Sequence, residues 1–284
     1  MKWLKTSEDN LQARAFLLER EKLCVAASAR FLRNRESRGH VWYLGESEDQ
    51  IKALLLHNRR TLFPVFNGHT DIPAPRFLTR LLGKTKIHAV QGLRQDAELL
   101  ETLLEDQGYF ALERIDYHLM SLDAETGRNT GEHKSLLNKH CPSDLVLRKP
   151  VPSDEEDLFT LQAAYEKEEV LPINSDFNPA HSRLNLKRLI KSEQMIVAEL
   201  DSRVVGKINT SAESFSRYQV GGVYVRPDCR GIGIALRMTV FFTESLLAQG
   251  KGITLFVKKR NTAAIKVYRK AGFTALADYR ISYY

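Results

Sequence analysis

The residues with the most chemical content lie in one stretch, Val223-Tyr224-Val225-Arg226-Pro227-Asp228-Cys229-Arg230-Gly231-Ile232-Gly233-Ile234-Ala235. The pattern is a strand, an exit marked by proline, two glycines one residue apart, and the start of a long amphipathic helix. Gly231 and Gly233 let backbone N–H groups turn toward one point, and the N-terminus of the following helix adds its dipole there. Arg230 puts a fixed positive charge beside them. Such a turn is suited to gripping a pyrophosphate. A strand-to-helix turn that needs glycine only for its geometry reads the same way from these residues alone. Gly-Lys-Ser/Thr is missing, which excludes a P-loop. No third glycine stands at the dinucleotide-binding spacing and no βαβ repeat follows, which argues against a Rossmann site.

Two segments together carry a resemblance. Arg230-Gly231-Ile232-Gly233-Ile234-Ala235 fits the Arg/Gln-x-x-Gly-x-Gly/Ala signature of the GCN5-related N-acetyltransferases, the GNAT superfamily. Downstream, Asn261-Thr262-Ala263-Ala264-Ile265-Lys266-Val267-Tyr268-Arg269-Lys270-Ala271-Gly272-Phe273 is similar to the family's Asn-x-x-Ala-x-x-x-Tyr-x-x-x-Gly-Phe segment. The resemblance covers about residues 145–284. It implies an α/β fold of the mixed-sheet kind, in which acetyl-CoA lies where two neighbouring parallel strands part, and it implies no metal. Carried over residue by residue, the backbone of Val223, Tyr224 and Val225 would pair with the pantetheine arm. The amides of Arg230, Gly231, Ile232, Gly233, Ile234 and Ala235 would hold the pyrophosphate. Asn261 would contact the pantetheine or order the cleft, and Tyr268 would protonate the departing thiolate.

Those residue types suit the reaction. Acetyl transfer to an amine acceptor needs a deprotonated nucleophile, a polarised thioester carbonyl and a proton for the leaving group. A backbone N–H near Val225 can polarise the carbonyl, and a tyrosine hydroxyl can give up a proton. Tyr268 could instead be a helix residue packed on the last strands. For the general base the sequence offers Glu213, Glu168 and Glu169, each also readable as a surface carboxylate, or a chain of water molecules.

The elements that must position these residues follow from periodicity and punctuation. Leu145–Arg148 reads as a strand, Ser153 with Glu156 as a capping box opening a helix to about Lys167, and Pro179–Lys191 as a second helix. Gln194–Leu200 and Arg203–Ser211 read as strands joined at Asp201-Ser202. Gln219–Val225 is a strand, Ile232–Gln249 a helix, Ile253–Val257 a buried strand, Thr262–Ala271 a helix and Phe273–Tyr284 a strand pair. Before residue 124 the pattern is similar. Asn10–Arg33 reads as one helix with Leu11, Ala15, Leu18, Lys22 and Val25 on its apolar face. Strands follow at Val41–Leu44, Ala53–Leu56, Thr61–Phe66 and Ile87–Val90. Helices end at Leu82 and Gln107, and a strand pair fills Tyr109–Leu122.

The domains expected are 1–123, a linker at 124–144, and 145–284. Ile115-Asp116-Tyr117-His118-Leu119-Met120 can be laid on Ala277-Asp278-Tyr279-Arg280-Ile281-Ser282, each preceded by strand, helix and a glycine-aromatic step. The first half therefore reads as a diverged GNAT-like domain, making a pseudo-tandem pair, or as an unrelated α/β domain. Its counterpart of the glycine turn, Gly68-His69-Thr70-Asp71-Ile72-Pro73-Ala74-Pro75-Arg76, has two prolines where amide donors are needed, so it is not expected to bind acetyl-CoA.

Composition narrows the classes. The chain has 284 residues and a net charge of +7, of which +1 falls in residues 1–144 and +6 in residues 145–284. The basic excess sits with the anion-gripping turn, where Arg226, Arg230, Lys258, Lys259 and Arg260 could serve a polyanionic cofactor. The Arg-rich stretch Arg30–Arg38 is broken by Glu36 and lacks interleaved aromatics, so no nucleic acid partner is expected. Seven of eight histidines lie in the first half without metal-ligand spacing. Three cysteines without C-x-x-C spacing suit a reducing compartment. No apolar run reaches the roughly 20 residues of a membrane span, and the N-terminus turns acidic where a signal peptide is apolar. A cytoplasmic protein with no membrane partner is expected, as monomer or homodimer. The sequence leaves two functions open, an acetyl-CoA-dependent N-acetyltransferase working by direct attack in a ternary complex, and an acyl-CoA sensor without turnover.

Overall fold

The computed structural model describes residues 2–6, 10–33, 40–45, 51–66, 75–83, 86–123, 142–173 and 175–284. Among them the same series of elements occurs twice. The first is β1 (Lys2–Thr6), α1 (Leu11–Glu19), α2 (Glu21–Leu32), β2 (His40–Gly45), β3 (Ile51–Asn58), β4 (Thr61–Val65), α3 (Pro75–Leu82), β5 (Ala89–Leu93), α4 (Arg94–Glu105) and β6 (Glu113–Leu122). The second is β7 (Val146–Arg148), α5 (Glu155–Tyr165), α6 (Pro179–Ser192), β8 (Met195–Leu200), β9 (Arg203–Glu213), β10 (Arg217–Val225), α7 (Ile234–Leu247), β11 (Gly252–Lys258), α8 (Thr262–Lys270) and β12 (Thr274–Tyr283). No helix among the described residues is long and apolar enough to cross a membrane.

The compact units do not follow a single cut in the chain. One contains Met1–Leu119 with Leu276–Tyr284, the other Met120–Ala275. The sequence reading assigns the whole C-terminus to the second domain. Instead Tyr279–Tyr283 pair antiparallel with Leu93–Ala89 of the first unit, and Arg280 and Ser282 reach its buried Glu101. Met120 and Leu122, at the end of β6, lie in the core of the second unit. The expected linker at 124–144 lies almost wholly outside the described residues.

In the first unit β1, β2, β3 and β4 pair antiparallel, and β4 meets β5 in parallel at Thr61↔Ala89 and Leu62↔Val90. Its core gathers Trp3, Trp42, Leu55, Leu62, Leu78 and Leu100. The single helix expected over Asn10–Arg33 is two, because Arg20 leaves helical geometry at φ −104 and ψ 4. The break changes the buried face. Leu11 and Leu18 are exposed, while Ala13, Phe16 and Leu17 face inward. Asn10 caps α1 by accepting from the Ala13 N–H at 2.7 Å. The expected pair in Tyr109–Leu122 is one long strand, β6.

In the second unit β7, β8, β9 and β10 are antiparallel neighbours, and β10 and β11 run parallel. Both faces of this sheet are covered. Met195 and Val197 of β8 pack with Leu158, Leu161 and Leu186 of α5 and α6. Ile196 and Ala198, on the alternate face, pack with Ile234, Met238 and Phe242 of α7. Double coverage explains the unbroken apolar run Met195-Ile196-Val197-Ala198, since an alternating pattern would leave one face wet. The predicted Ser153–Glu156 capping box does not form. A 3₁₀ turn, Pro152–Asp154, precedes α5, Asp154 accepts from the Val151 N–H and is held by both terminal nitrogens of Arg148, and Glu156 pairs with Arg183. The strand pair predicted for Phe273–Tyr284 is one strand, β12.

Candidate functional site

The site is built where β10 and β11 part. They pair from Arg217↔Gly252 to Val220↔Leu255 and no further, although β10 continues to Val225 and β11 to Lys258. The cause lies on the other edge of β10. Between Gly221 and Tyr224 the register against β9 shifts, so that Gly222 and Val223 stand opposite Ile208 alone. This bulge bends β10 away from β11 and leaves backbone groups of Val223–Val225 without a β11 partner. The Arg226 N–H returns to Val205 O of β9 at 2.8 Å, so alternation along the strand turns the Val225 N–H to the open side.

Gly222 is indispensable to the bulge. Its φ is +61, and a Cβ there would lie 2.1 Å from Asn209 Oδ1 and 2.8 Å from Lys207 Nζ. The glycine turn beyond β10 behaves as the sequence predicts. Gly231 and Gly233 both adopt left-handed geometry, φ +86 and +85, and Gly233 is the N-cap of α7. No side chain caps that helix start, so its first N–H groups keep their capacity for an anion. Ile234 is buried and anchors the turn, while Ile232 stays exposed. Ala235 packs at the margin of the same core.

Arg230 does not extend freely into solvent. Its Nε donates to Val225 O at 3.0 Å and its terminal nitrogen to Glu168 Oε2 at 2.9 Å, and its guanidinium lies over the Tyr224 ring. Glu168 belongs to a π-helical turn, Glu166–Val170, into which α5 passes where the sequence predicts only a helix end. Such turns are often found at functional sites. Here the turn reaches the residues singled out by motif. Glu168 also accepts from the Tyr224 hydroxyl at 2.5 Å. Glu169 accepts from Asn261 Nδ2 at 3.0 Å and pairs with Lys258 at 3.4 Å. Burial by itself would raise the Glu168 carboxyl, but hydrogen bonds from Tyr224 and Arg230 outweigh it and hold it below the usual range. Tyr224 is pushed up to about 12 by burial and by Glu168.

Asn261 caps α8, its Oδ1 accepting from the Ala264 N–H at 3.0 Å. Two turns on, the Tyr268 ring is buried, edge-on to Phe273 at 6.0 Å. Its hydroxyl has no hydrogen-bond partner among the described residues. Burial, then Tyr165 and Glu169, raise its pKa well above the ordinary phenol value, so it is protonated at neutral pH. Sequence reasoning missed Tyr165. It ends α5, and its ring stands edge-on to Tyr224 at 6.4 Å. It also missed Lys207, which is fully buried under the Tyr165 ring at 4.9 Å. A lysine inside an apolar strand, Arg203–Ser211, is the signal that could have flagged it.

Other expectations are redistributed. Glu213 pairs with Lys251 at 2.6 Å beside Ser214, apart from the residues joined by the π-helical turn, whereas Glu168 and Glu169 lie among them. Lys258 is buried against Glu169 and Arg226 pairs with Asp228, so these cations already have carboxylate partners. No group of three or more His, Cys, Asp or Glu among the described residues is placed to hold a metal. In the first unit β4 and β5 also part, since Pro64 has no N–H for a ladder. A cavity of about 170 Å³ opens there, lined by Cys24, Pro64, Phe66, Gln91 and Asp96 among others. The counterpart of the glycine turn, 68–76, falls almost entirely outside the described residues.

Residues 157–273 match the model of the "Acetyltransferase (GNAT) family". The mycothiol acetyltransferase of Saccharomonospora viridis is 28% identical over 137 residues, covering 41% of this chain and 45% of that protein. The chain thus spans less than half the length of that curated relative. Among solved structures, a GCN5-related N-acetyltransferase from Sphaerobacter thermophilus superposes with a TM-score of 0.59 at 17% identity, over 99% of this chain and 94% of that one. A tandem GNAT protein from the clavulanic acid biosynthesis pathway gives 0.59 at 11% identity, over 99% and 97%. At these identities the superpositions establish the fold, and they extend it over both repeats.

Proposed function

Since a domain of the acetyltransferase (GNAT) family occupies residues 157–273 and the whole chain has the fold of tandem GNAT proteins, we propose that the second unit is an N-acetyltransferase taking an acetyl group from acetyl-CoA to an amine acceptor. The observation that carries this reading is the parting of β10 from β11 after Val220, closed at one end by the Gly231–Gly233 turn. The residues present fit acetyl-CoA. The unpaired edge of Val223–Val225 offers backbone groups to an extended amide-bearing arm, as an added strand would. The uncapped start of α7 offers N–H donors to phosphate.

In the reaction the N–H groups turned to the open edge of β10 hold the acyl carbonyl and stabilise the charge that develops on it. The amine attacks that carbon directly, and Tyr268 delivers its proton to the sulfur as the thiolate departs. Burial keeps the phenol protonated at neutral pH, so it has a proton to give. Asn261 fixes the start of α8 and so the position of Tyr268. Glu168 and Glu169, bonded to Tyr224, Arg230 and Asn261, are the carboxylates assigned to receive the amine proton, directly or through water. The first unit supports the fold and has no assigned chemistry.

The test is a panel of amine acceptors with acetyl-CoA, read by release of free thiol. Transfer to at least one class is the expected result. Tight acetyl-CoA binding without turnover on any class would replace the enzyme by a sensor, and absence of binding would remove both. A second expectation concerns charge. Arg230→Gln should weaken acetyl-CoA binding by about 10-fold or more, the scale of a charge-assisted hydrogen bond. The same change at Lys187, paired with Glu155 on the surface at 3.3 Å, should leave it unchanged by calorimetric titration. Equal effects would sink the role given to Arg230.

A further inference from the structure

Lys207 is a costly residue that the mechanism above does not use. It has no exposed surface, and a buried ammonium must find partners. Its Nζ donates to Gly222 O at 3.0 Å and to Asn209 Oδ1 at 3.2 Å, and the Tyr165 ring lies 4.9 Å away. Gly222 is the bulge residue, and its carbonyl belongs to the same peptide as the Val223 N–H. In a trans peptide, as every described one is here, the carbonyl and the N–H point in opposite directions. With the carbonyl turned in to Lys207, the Val223 N–H faces the open edge of β10. A positive charge on the oxygen end draws electron density through the peptide and makes its N–H a stronger donor.

We propose that Lys207 is a positioning residue that sets the Gly222–Val223 peptide and strengthens its N–H as the donor to the acyl carbonyl. The proposal rests on the acetyl-CoA reading of the cleft. The groups facing Lys207 are Tyr165 at the end of α5, Glu166 in the π-helical turn, Asn209 on β9 and the Gly222 carbonyl on β10. Burial lowers the Lys207 pKa to about 7, with Glu166 opposing that shift. Tyr165 is raised above its ordinary value, so it is neutral across the same range. The ammonium is therefore complete below pH 7 and lost above it.

The experiment follows the carbonyl stretch of bound ¹³C-acetyl-CoA by infrared difference spectroscopy. In the natural protein the band should move to lower frequency on binding and drift back as pH rises through about 7. Lys207→Met, close in length and without charge, should bind acetyl-CoA with unchanged affinity and show a smaller, pH-independent shift. Its kcat should fall about 10-fold, less than the loss of a whole oxyanion donor, with KM for acetyl-CoA unchanged. The ratio of the two kcat values should approach one at high pH, a readout in which ionisation of the acceptor cancels. The pH drift needs no variant, so it decides the matter if Lys207→Met does not fold. Binding with the same pH-independent band in both proteins would overturn the role of Lys207 and leave the acetyltransferase reading standing. Failure of the natural protein to bind acetyl-CoA would overturn both.

Discussion

Replacing Tyr268 with Phe should slow acetyl transfer by roughly 10²–10⁴-fold, the scale on which a positioned general acid contributes, while acetyl-CoA still binds. The structure makes this a clean substitution. The hydroxyl bonds to no described protein group, so its removal leaves no orphaned donor or acceptor. The ring keeps its edge-on contact with Phe273. Steady-state kinetics should therefore show the loss in kcat, and the thermal midpoint should stay within a degree or two. The pH profile carries independent information. Tyr268 is held above the ordinary phenol value by burial, Tyr165 and Glu169, so its protonated form persists through the alkaline range and should set no limb near pH 10. Unchanged turnover in Tyr268→Phe would remove it from the mechanism.

Gly222→Ala should cost about 2–5 kcal/mol of stability, combining left-handed strain of roughly 1–2 kcal/mol with overpacking of roughly 1–3 kcal/mol. A Cβ at 2.1 Å from Asn209 Oδ1 cannot be absorbed without moving Asn209. That movement would take one partner from the Lys207 ammonium, which cannot reach solvent. Gly231→Ala is the matched comparison. Its φ is +86, but nothing lies within 4 Å of the added carbon, so only the conformational cost of roughly 1–2 kcal/mol applies. Urea unfolding of the two variants checks this. Equal losses would mean that the bulge is not braced by Lys207 and Asn209.

The glycine turn and the start of α8 were largely legible in the chain because their requirements are local. Positive φ at Gly231 and Gly233, the capping Asn261 and the tyrosine two turns into α8 are each set by neighbours in sequence, and each lies where its residue type predicts. The π-helical turn was not legible. Glu166, Lys167, Glu168 and Glu169 read as a polar helix end, and only the folded chain shows Glu168 on Arg230 and Tyr224, and Glu169 on Asn261 and Lys258. Those pairs join residues 56 to 92 positions apart, a separation at which no periodicity speaks. The N-terminal helix was misread for a local reason. A break at Arg20 rotates the inward face, and a continuous 3.6-residue count carries the wrong residues across it.

The sequence by itself determined most of the helices and strands and the residue types that can hold phosphate and give up a proton, since backbone preference and spacing act over a few residues; it left open whether the first half repeats the second. Tertiary structure alone decided three things. Leu276–Tyr284 completes the first unit and Met120–Leu122 the second, because a strand joins whichever sheet edge satisfies its backbone hydrogen bonds. The cleft opens because a bulge against β9 bends β10, which depends on a register between strands. Lys207 faces that bulge from within, because a buried ammonium settles only where carbonyl oxygens from separate segments converge on it.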